Sequence, residues 1–202
     1  MNTIWNDTLT AFTAAVGSSE PTPGGGSVSI VTATMGTALN LMALQITEKH
    51  TGPTPPLSAL INNCNSSMSL LKVDADEDIA SFRALMTALH MPPGPERDKA
   101  VEAAATRATK APLAAVLHCT DAINTITQSA PICVAQLLSD LQTSLNLLAA
   151  AAQSDLLNVG PNLSLIKDPA IIAQLSEQYA TEQAALGPAI ATANKAIADR
   201  KS

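Results

Sequence analysis

Aromatic side chains are nearly absent from this sequence: Phe, Trp and Tyr make up 2% of its 202 residues, although 47% of the residues are hydrophobic. Ala and Leu supply most of that hydrophobicity, and both favour helices, whereas β-sheets draw on aromatic and β-branched residues. No strand pattern and no internal repeat is found along the sequence. The composition predicts an all-α bundle of closely packed helices, and the length favours a single domain over residues 1–202.

Basic residues are also scarce. Lys and Arg number 11 against 17 Asp and Glu, which gives a formal net charge of -6. Binding to a phosphate backbone or to anionic lipid depends on positive charge. The charge balance therefore argues against nucleic acid and membrane surfaces as partners.

Cysteine and histidine are too few and too scattered for a disulfide framework or a zinc motif. The cysteines are Cys64, Cys119 and Cys133. The histidines are His50, His90 and His118. We expect reduced cysteines in the core of a cytoplasmic protein, and no metal site.

Export and membrane insertion are not expected. The sequence begins without the basic start and apolar run of a signal peptide. An uncharged stretch from Pro21 to Thr47 is long enough to suggest a membrane span, but it contains many Ser and Thr residues and lacks basic flanks on one side. We interpret it as a buried bundle helix.

Apolar spacing and helix-terminating residues predict six helices. Their approximate ranges are 4–16, a long uncharged helix ending near 50, 56–90, 96–126, 132–157 and 169–199. Pro112 predicts a kink in the fourth helix, and Gly187-Pro188 predicts a break or kink in the sixth.

Asp78 is the first candidate for a chemical role. The apolar residues of the third helix alternate at spacings of four and three, and Asp78 falls on that seam. A buried carboxylate is costly unless it is paired, hydrogen-bonded or functional. Alternatively, a small rotation of the helix places Ile79 on the seam and Asp78 at its edge, beside Asp74, Asp76 and Glu77.

Asp140 is the second candidate. Between Lys110 and Lys167 the only charged residues are Asp121, Asp140 and Asp155, and none of them has a basic neighbour in sequence. Such carboxylates either face water or lie in a functional cleft. Burial would raise their pKa values and make them proton donors or acceptors near neutral pH.

Three consecutive glycines, Gly24 to Gly26, precede the long uncharged helix. Backbone amides at a helix N-terminus can bind an anionic group. The segment lacks the Lys of a nucleotide-binding loop, and no predicted strand precedes it. Tight helix packing explains the glycines equally well.

The segment Pro21-Thr22-Pro23-Gly24-Gly25-Gly26-Ser27 resembles the hallmark of the folate cyclodeaminase and methenyltetrahydrofolate cyclohydrolase family. Other matches follow in the family's order and spacing over nearly the whole sequence. They are Asp78 with Ser81-Phe82, Ala88, Met91-Pro92, Ala108 to Leu113, Ser139-Asp140 and Asn158 to Asn162.

This resemblance implies a helical homodimer that acts on a tetrahydrofolate derivative without a metal or a separate redox cofactor. Members either add water to 5,10-methenyltetrahydrofolate or expel ammonia from 5-formiminotetrahydrofolate. The resemblance points to Asp140 and Asp78 as catalytic residues. The substrate-binding residues it implies are Pro23, Gly24, Gly25, Gly26, Ser27, Ser139, Asn158 and Asn162. The lack of a formiminotransferase domain in this sequence leads us to expect a stand-alone cyclohydrolase.

The sequence departs from the family pattern at several polar positions. Arg83 replaces a common Asp, Leu89 replaces Tyr, Pro93 replaces Lys, and the segment from Cys133 to Gln136 replaces Gly-Asn-x-Asn. These changes leave two alternatives to a folate enzyme. One is a non-catalytic folate-binding or structural helical dimer, and the other is an enzyme for another cyclic amidine or imine.

Overall fold

Helices account for all the regular structure in the computed structural model, which describes residues 3–200. The α-helices are α1 (Leu9–Val16), α2 (Gly25–Thr51), α3 (Pro55–Leu89), α4 (Pro95–Ser129), α5 (Leu138–Leu156), α6 (Val159–Leu163) and α7 (Pro169–Ala198). Short 3-10 turns occur at Ile4–Asn6 and Ala135–Leu137. The predicted all-α class is confirmed, and each of the six predicted helices has a counterpart.

Side-chain caps and one glycine set several helix ends. Thr8, Thr54 and Asp168 each accept a hydrogen bond from an amide in the first turn of the helix that follows. A proline follows both Thr54 and Asp168 at the first helical position, where a missing N–H costs nothing. Gly52, with φ of 81°, ends α2 in a conformation that other residues rarely adopt.

Two predicted helix starts were wrong. The first helix begins at Leu9, five residues later than expected, because the threonine cap fixes its first turn there. The fifth begins at Leu138 instead of Ile132. The chain before it turns back onto α2, where the amide of Val134 donates to Oγ1 of Thr47 at 3.2 Å. The short helix α6 was not predicted.

The prolines inside α4 and α7 do not interrupt these helices. Pro112 lies within α4 and Pro188 within α7, and both helices continue across them. Because Pro112 has no N–H, it cannot bond the carbonyl oxygen of Ala108 four residues earlier. That oxygen accepts a hydrogen bond from Nδ2 of Asn162 at 2.9 Å instead.

Helix α2 packs between α3 and α5. Its approach to α5 is close at Gly36, where an added Cβ would lie 3.1 Å from the carbonyl oxygen of Ser144. Oγ of Ser144 donates to the carbonyl of Gly36 at 2.6 Å. By length and composition α2 could cross a membrane, but 56% of its most apolar window is buried inside this chain.

Two large apolar clusters frame the region where α2 begins. The larger cluster joins α2, α4, α5 and α7 around residues such as Ile123, Leu145 and Leu148. The second joins the end of α3 with α4, α6 and α7 and includes Val159 of α6. The packing of α6 in this second cluster holds the residues around it beside the glycine segment.

Candidate active site

The start of α2 is packed against the carboxyl group of Asp78 on α3. A Cβ added to Gly26 would overlap Oδ1 of Asp78 and lie 2.7 Å from its Cγ. Only glycine allows this approach without a shift of one helix. Close helix packing therefore explains the glycine at position 26, and this packing brings the Asp78 carboxylate to the N-terminus of α2.

Ser27 holds the Asp78 carboxylate with two hydrogen bonds. Its Oγ donates to Oδ2 of Asp78 at 2.7 Å, and its backbone N–H also donates to the carboxylate. Burial raises the pKa of Asp78, and the two bonds from Ser27 lower it, with burial the larger effect. The neighbouring Ile79 is buried while Asp78 is half-buried, so the structure has the alternative helix rotation, with Asp78 at the edge of the seam.

A cavity of about 250 Å³ opens beside Asp78. Its lining residues are Pro21, Thr22, Gly24, Gly25, Gly26, Asp78, Ser81, Phe82, Ala108, Asn158, Pro161 and Asn162. Thus the glycine segment, one predicted catalytic carboxylate and both predicted asparagines meet at one cavity. No Lys or Arg is among these residues. Ser27 lies behind the wall and is fully buried.

A second, mainly apolar cavity of about 340 Å³ adjoins the first. Both cavities are lined by Gly25 and Asn158. The second also contacts Val28, Ser29 and Leu157. The two cavities together offer a polar compartment next to an apolar one, a combination suited to a ligand with a polar head and an apolar arm.

Asp140 and Ser139 lie elsewhere in the chain. Both are at the N-terminal end of α5, where Ser139 is exposed and Asp140 is half-buried. The cavity adjoins the other end of α5, near Asp155. Fifteen residues separate Asp140 from Asp155, which corresponds to about 22 Å along the helix. Within one chain the two predicted catalytic carboxylates are therefore not brought together, and the role of Asp140 stays a prediction.

Asp155 is a candidate that the sequence analysis did not select. It is 0% exposed, and its Oδ1 lies 2.6 Å from Oγ of Ser29, which is 2.8 Å from the carbonyl oxygen of Gly26. Oδ2 of Asp155 has no hydrogen-bond partner among the described residues. Burial raises the pKa of Asp155 to about 8. The hydrogen bond with Ser29 lowers it by a smaller amount, and the charges of Asp78 and then Asp74 add still smaller increases.

The sequence did carry a signal for the burial of Asp155. The apolar stripe of α5 runs through Leu141, Leu145, Leu148 and Ala152, and the next position at that spacing is Asp155. The same reasoning that selected Asp78 would have found it. Proximity to the glycine segment was not predictable, because it depends on the packing of α5 against α2.

Asp74 of α3 and Glu182 of α7 are two further buried acids, and each interacts with a residue of α4. Nδ1 of His118 is 2.6 Å from Oδ2 of Asp74, and this hydrogen bond is the main reason that the pKa of His118 is raised, with Asp121 adding to it. Burial, and then Asp121, raises the pKa of Glu182. Among the described residues no group of three or more His, Cys, Asp or Glu is arranged to hold a metal ion.

Of the four departures from the family pattern, Arg83 contacts the cavity wall. Its Nε donates to Oγ1 of Thr22 at 3.3 Å. Leu89 instead packs against the second apolar cluster, and Pro93 is exposed. Cys133 is buried and lies 3.5 Å from Oγ1 of Thr47.

Comparison with known proteins identifies the family. A model of the formiminotransferase-cyclodeaminase family matches residues 8–181. Methenyltetrahydrofolate cyclohydrolase from Methylorubrum extorquens is 28% identical over 173 residues, which cover 82% of this chain and 83% of that protein. A crystal structure of formiminotetrahydrofolate cyclodeaminase from Thermotoga maritima has a TM-score of 0.88 at 23% identity and shares the fold, with coverage of 97% of this chain and 98% of that one. Because the family match spans most of the sequence, this chain belongs to the formiminotransferase-cyclodeaminase family, as its motifs predicted.

Proposed function

We propose that this protein is a methenyltetrahydrofolate cyclohydrolase, which hydrolyses 5,10-methenyltetrahydrofolate to 10-formyltetrahydrofolate. The Asp78 carboxylate is the main support for this proposal, because Ser27 holds it at the edge of a cavity whose lining has no Lys or Arg. The methenyl bridge is a delocalised cation. A carboxylate without a basic partner stabilises such a cation in a partly buried site.

Asp78 also suits the proton transfer that hydration requires. Water adds its oxygen to the methenyl carbon, and the proton it loses passes to the Asp78 carboxylate. The carbon–N5 bond then breaks while the new hydroxyl loses its proton and becomes the formyl C=O, and the electron pair of the broken bond goes to N5, which takes up a proton. One proton is released overall.

The two adjoining cavities suit the two ends of a folate. The polar cavity presents the side chain of Asp78 and two asparagine residues to the pterin ring. The apolar cavity, which shares Gly25 and Asn158 with it, has room for the aromatic arm. Water addition to a cation transfers no electrons, so we propose that the reaction uses no redox cofactor. The substrate itself carries the positive charge that makes its methenyl carbon electrophilic, so we propose that no metal is needed to activate it. Three free, buried cysteines accord with a cytoplasmic location.

A homodimer is part of this proposal. Helix α2 carries no charged residue between Gly25 and Thr47, and a half-exposed stripe runs along it at spacings of four and three. The stripe consists of Val28, Thr32, Met35, Leu39, Met42 and Ile46. Met35 is 49% exposed. A second copy packed on this stripe would bury it in the manner of a coiled-coil seam.

Sedimentation tests the dimer. We expect the wild-type protein to sediment at twice its chain mass of 20.8 kDa. A charge in the stripe, Met35→Glu, should shift it to the monomer because the charge would be buried at the interface. Leu70→Glu, at a comparably exposed residue of α3, is the matched control and should leave the mass unchanged. A monomeric wild-type protein would refute the dimer.

Absorbance assays with two substrates test the activity. Purified protein should accelerate the loss of the near-ultraviolet absorbance of 5,10-methenyltetrahydrofolate, and it should form methenyltetrahydrofolate from 5-formiminotetrahydrofolate no faster than a blank does. The opposite pattern would identify a cyclodeaminase. Turnover of neither substrate would favour a non-catalytic dimer.

The predicted role of Asp140 is tested in the same assay. If Asp140 acts in catalysis, Asp140→Asn will lower the rate by a factor on the order of 100 or more. Since about 22 Å of α5 separates Asp140 from the Asp155 end, such a loss would require Asp140 to reach the cavity from a second copy. A rate equal to that of the control Glu177→Gln, which changes an exposed acid of α7, would remove Asp140 from the site.

A further inference from the structure

The hydroxyl of Ser29 has two acceptors within reach but only one hydrogen to donate. It lies 2.6 Å from Oδ1 of Asp155 and 2.8 Å from the carbonyl oxygen of Gly26. If Asp155 were ionised, one of the two contacts would lack a hydrogen. If Asp155 carries a proton, its carboxyl donates to Ser29, and Ser29 donates to Gly26, so both contacts are hydrogen bonds.

The surroundings of Asp155 also favour the protonated form. The residue is fully buried, and its Oδ2 accepts no hydrogen bond from any described residue. An ionised carboxylate needs several donors or a positive partner to offset its burial. The titratable groups coupled to Asp155 are Asp78 and Asp74 on α3 and Cys119 on α4, and ionised acids among them oppose a charge on Asp155. Helix α2 faces it with the hydroxyl of Ser29.

We propose that Asp155 is a positioning residue that acts as a neutral acid. Through Ser29 it fixes the carbonyl of Gly26, and it leaves Asp78 as the only ionised carboxylate next to the cavity among the described residues. This inference rests on the proposed function, because it assigns a role in the same site. Gly26 is the residue packed against Asp78, so the chain of hydrogen bonds ends where the reacting carboxylate is held.

Ionisation of Asp155 would disturb the site in two ways. Ser29 would turn to donate to the carboxylate and would release the carbonyl of Gly26. A second negative charge near Asp78 would also favour protonation of Asp78. Both effects remove the arrangement that accepts a proton from water. The activity should therefore fall as pH rises through the ionisation of Asp155, which burial places at a pKa of about 8.

The pH dependence of kcat for methenyltetrahydrofolate, after subtraction of the uncatalysed rate, tests this role. Asp155→Asn keeps a neutral donor to Ser29 and should move the alkaline fall in kcat upward by about one pH unit or more, with a loss at pH 7 of less than about tenfold. Asp155→Leu has no donor and should lose more than about tenfold at pH 7. Ser29→Ala should lower kcat at least as much as Asp155→Asn does.

Two kinetic results would overturn the proposal. An alkaline limb unmoved in Asp155→Asn would mean that Asp155 does not set it. A loss at pH 7 on the order of a hundredfold or more in Asp155→Asn would make Asp155 itself a proton-transfer group. The surface variant Glu177→Gln, which makes the same acid-to-amide change at an exposed residue of α7, should show the wild-type profile.

Infrared difference spectroscopy decides the charge state without turnover. The wild-type protein at pH 7 should show the C=O band of a protonated carboxylic acid that Asp155→Asn lacks, and the band should disappear at alkaline pH. If that band is absent, Asp155 is ionised and the proposal is wrong, whatever the activity. If the band is present but neither folate is turned over, the proposed function fails while the protonated Asp155 stands.

Discussion

Replacing Asp155 by Asn should stabilise the protein, by an amount that depends on pH. Burial raises the pKa of Asp155 from 3.8 to about 8. Between these values the native state keeps a proton that the unfolded state has lost, so the free energy of unfolding decreases as pH rises. Above pH 3.8, each pH unit lowers the free energy of unfolding by about 1.4 kcal/mol, so the loss amounts to about 4 kcal/mol at pH 7. An asparagine does not titrate and avoids this cost.

The gain will be smaller than the full amount, because the second amide hydrogen of asparagine enters a site that offers no described acceptor, at a cost of about 1–3 kcal/mol. We expect Asp155→Asn to be more stable than wild type by about 1–3 kcal/mol at pH 7. Its advantage should grow by about 3 kcal/mol from pH 5 to pH 7. Urea unfolding of both proteins at pH 5, 6 and 7, at one protein concentration, measures this difference. Parallel pH dependences would refute the raised pKa.

Three other changes test the packing around the site. Gly26→Ala should lower cyclohydrolase activity on the order of a hundredfold and destabilise the fold by about 1–3 kcal/mol. The control is Gly187→Ala, where an added Cβ meets open space, and thermal melts should show it to be as stable as wild type or more so. His118→Gln should destabilise the fold by about 1–3 kcal/mol at pH 6, as measured by urea unfolding. Because the pKa of His118 is raised in the fold, this loss should shrink as pH rises through that pKa, and an equal loss at every pH would contradict the raised pKa. Asn162→Ala should lower the free energy of unfolding by about 1–3 kcal/mol, because it leaves the carbonyl of Ala108 without its hydrogen bond. The loss should be smaller in a Pro112→Ala background, which a double-mutant cycle would measure, and additive effects would exclude the coupling of the two residues.

The sequence predicted the fold class and the family well because both depend on features repeated along the chain. Ala- and Leu-rich stripes at spacings of four and three require helices whatever the tertiary packing. Helix starts were less predictable. The start of α5 at Leu138 depends on the contact of Val134 with Thr47, residues that are far apart in sequence.

The site was predicted only in part, and for a physical reason. Gly26 and Asp78 were both selected, but nothing local shows that a glycine's missing side chain makes room for a carboxylate 52 residues away. The role of Asn162 as a partner for the carbonyl freed by Pro112 depends on the docking of α6 onto α4. Asp155 was passed over in favour of Asp140 because the family resemblance pointed to Ser139-Asp140. The apolar stripe of α5 would have predicted the burial of Asp155, but only the packing of α2 on α5 brings it to Ser29.

The proposed hydrolysis of the methenyl bridge depends above all on Asp78, which accepts the proton of the attacking water. The most direct measurement is the enzyme-dependent decay of 5,10-methenyltetrahydrofolate absorbance at pH 7, with wild type and Asp78→Asn compared at equal concentration. We expect rapid decay with wild type and a loss by a factor on the order of 100 to 10,000 in the variant, with the fold intact by circular dichroism. A variant as active as wild type, or a wild type no faster than buffer, would contradict it.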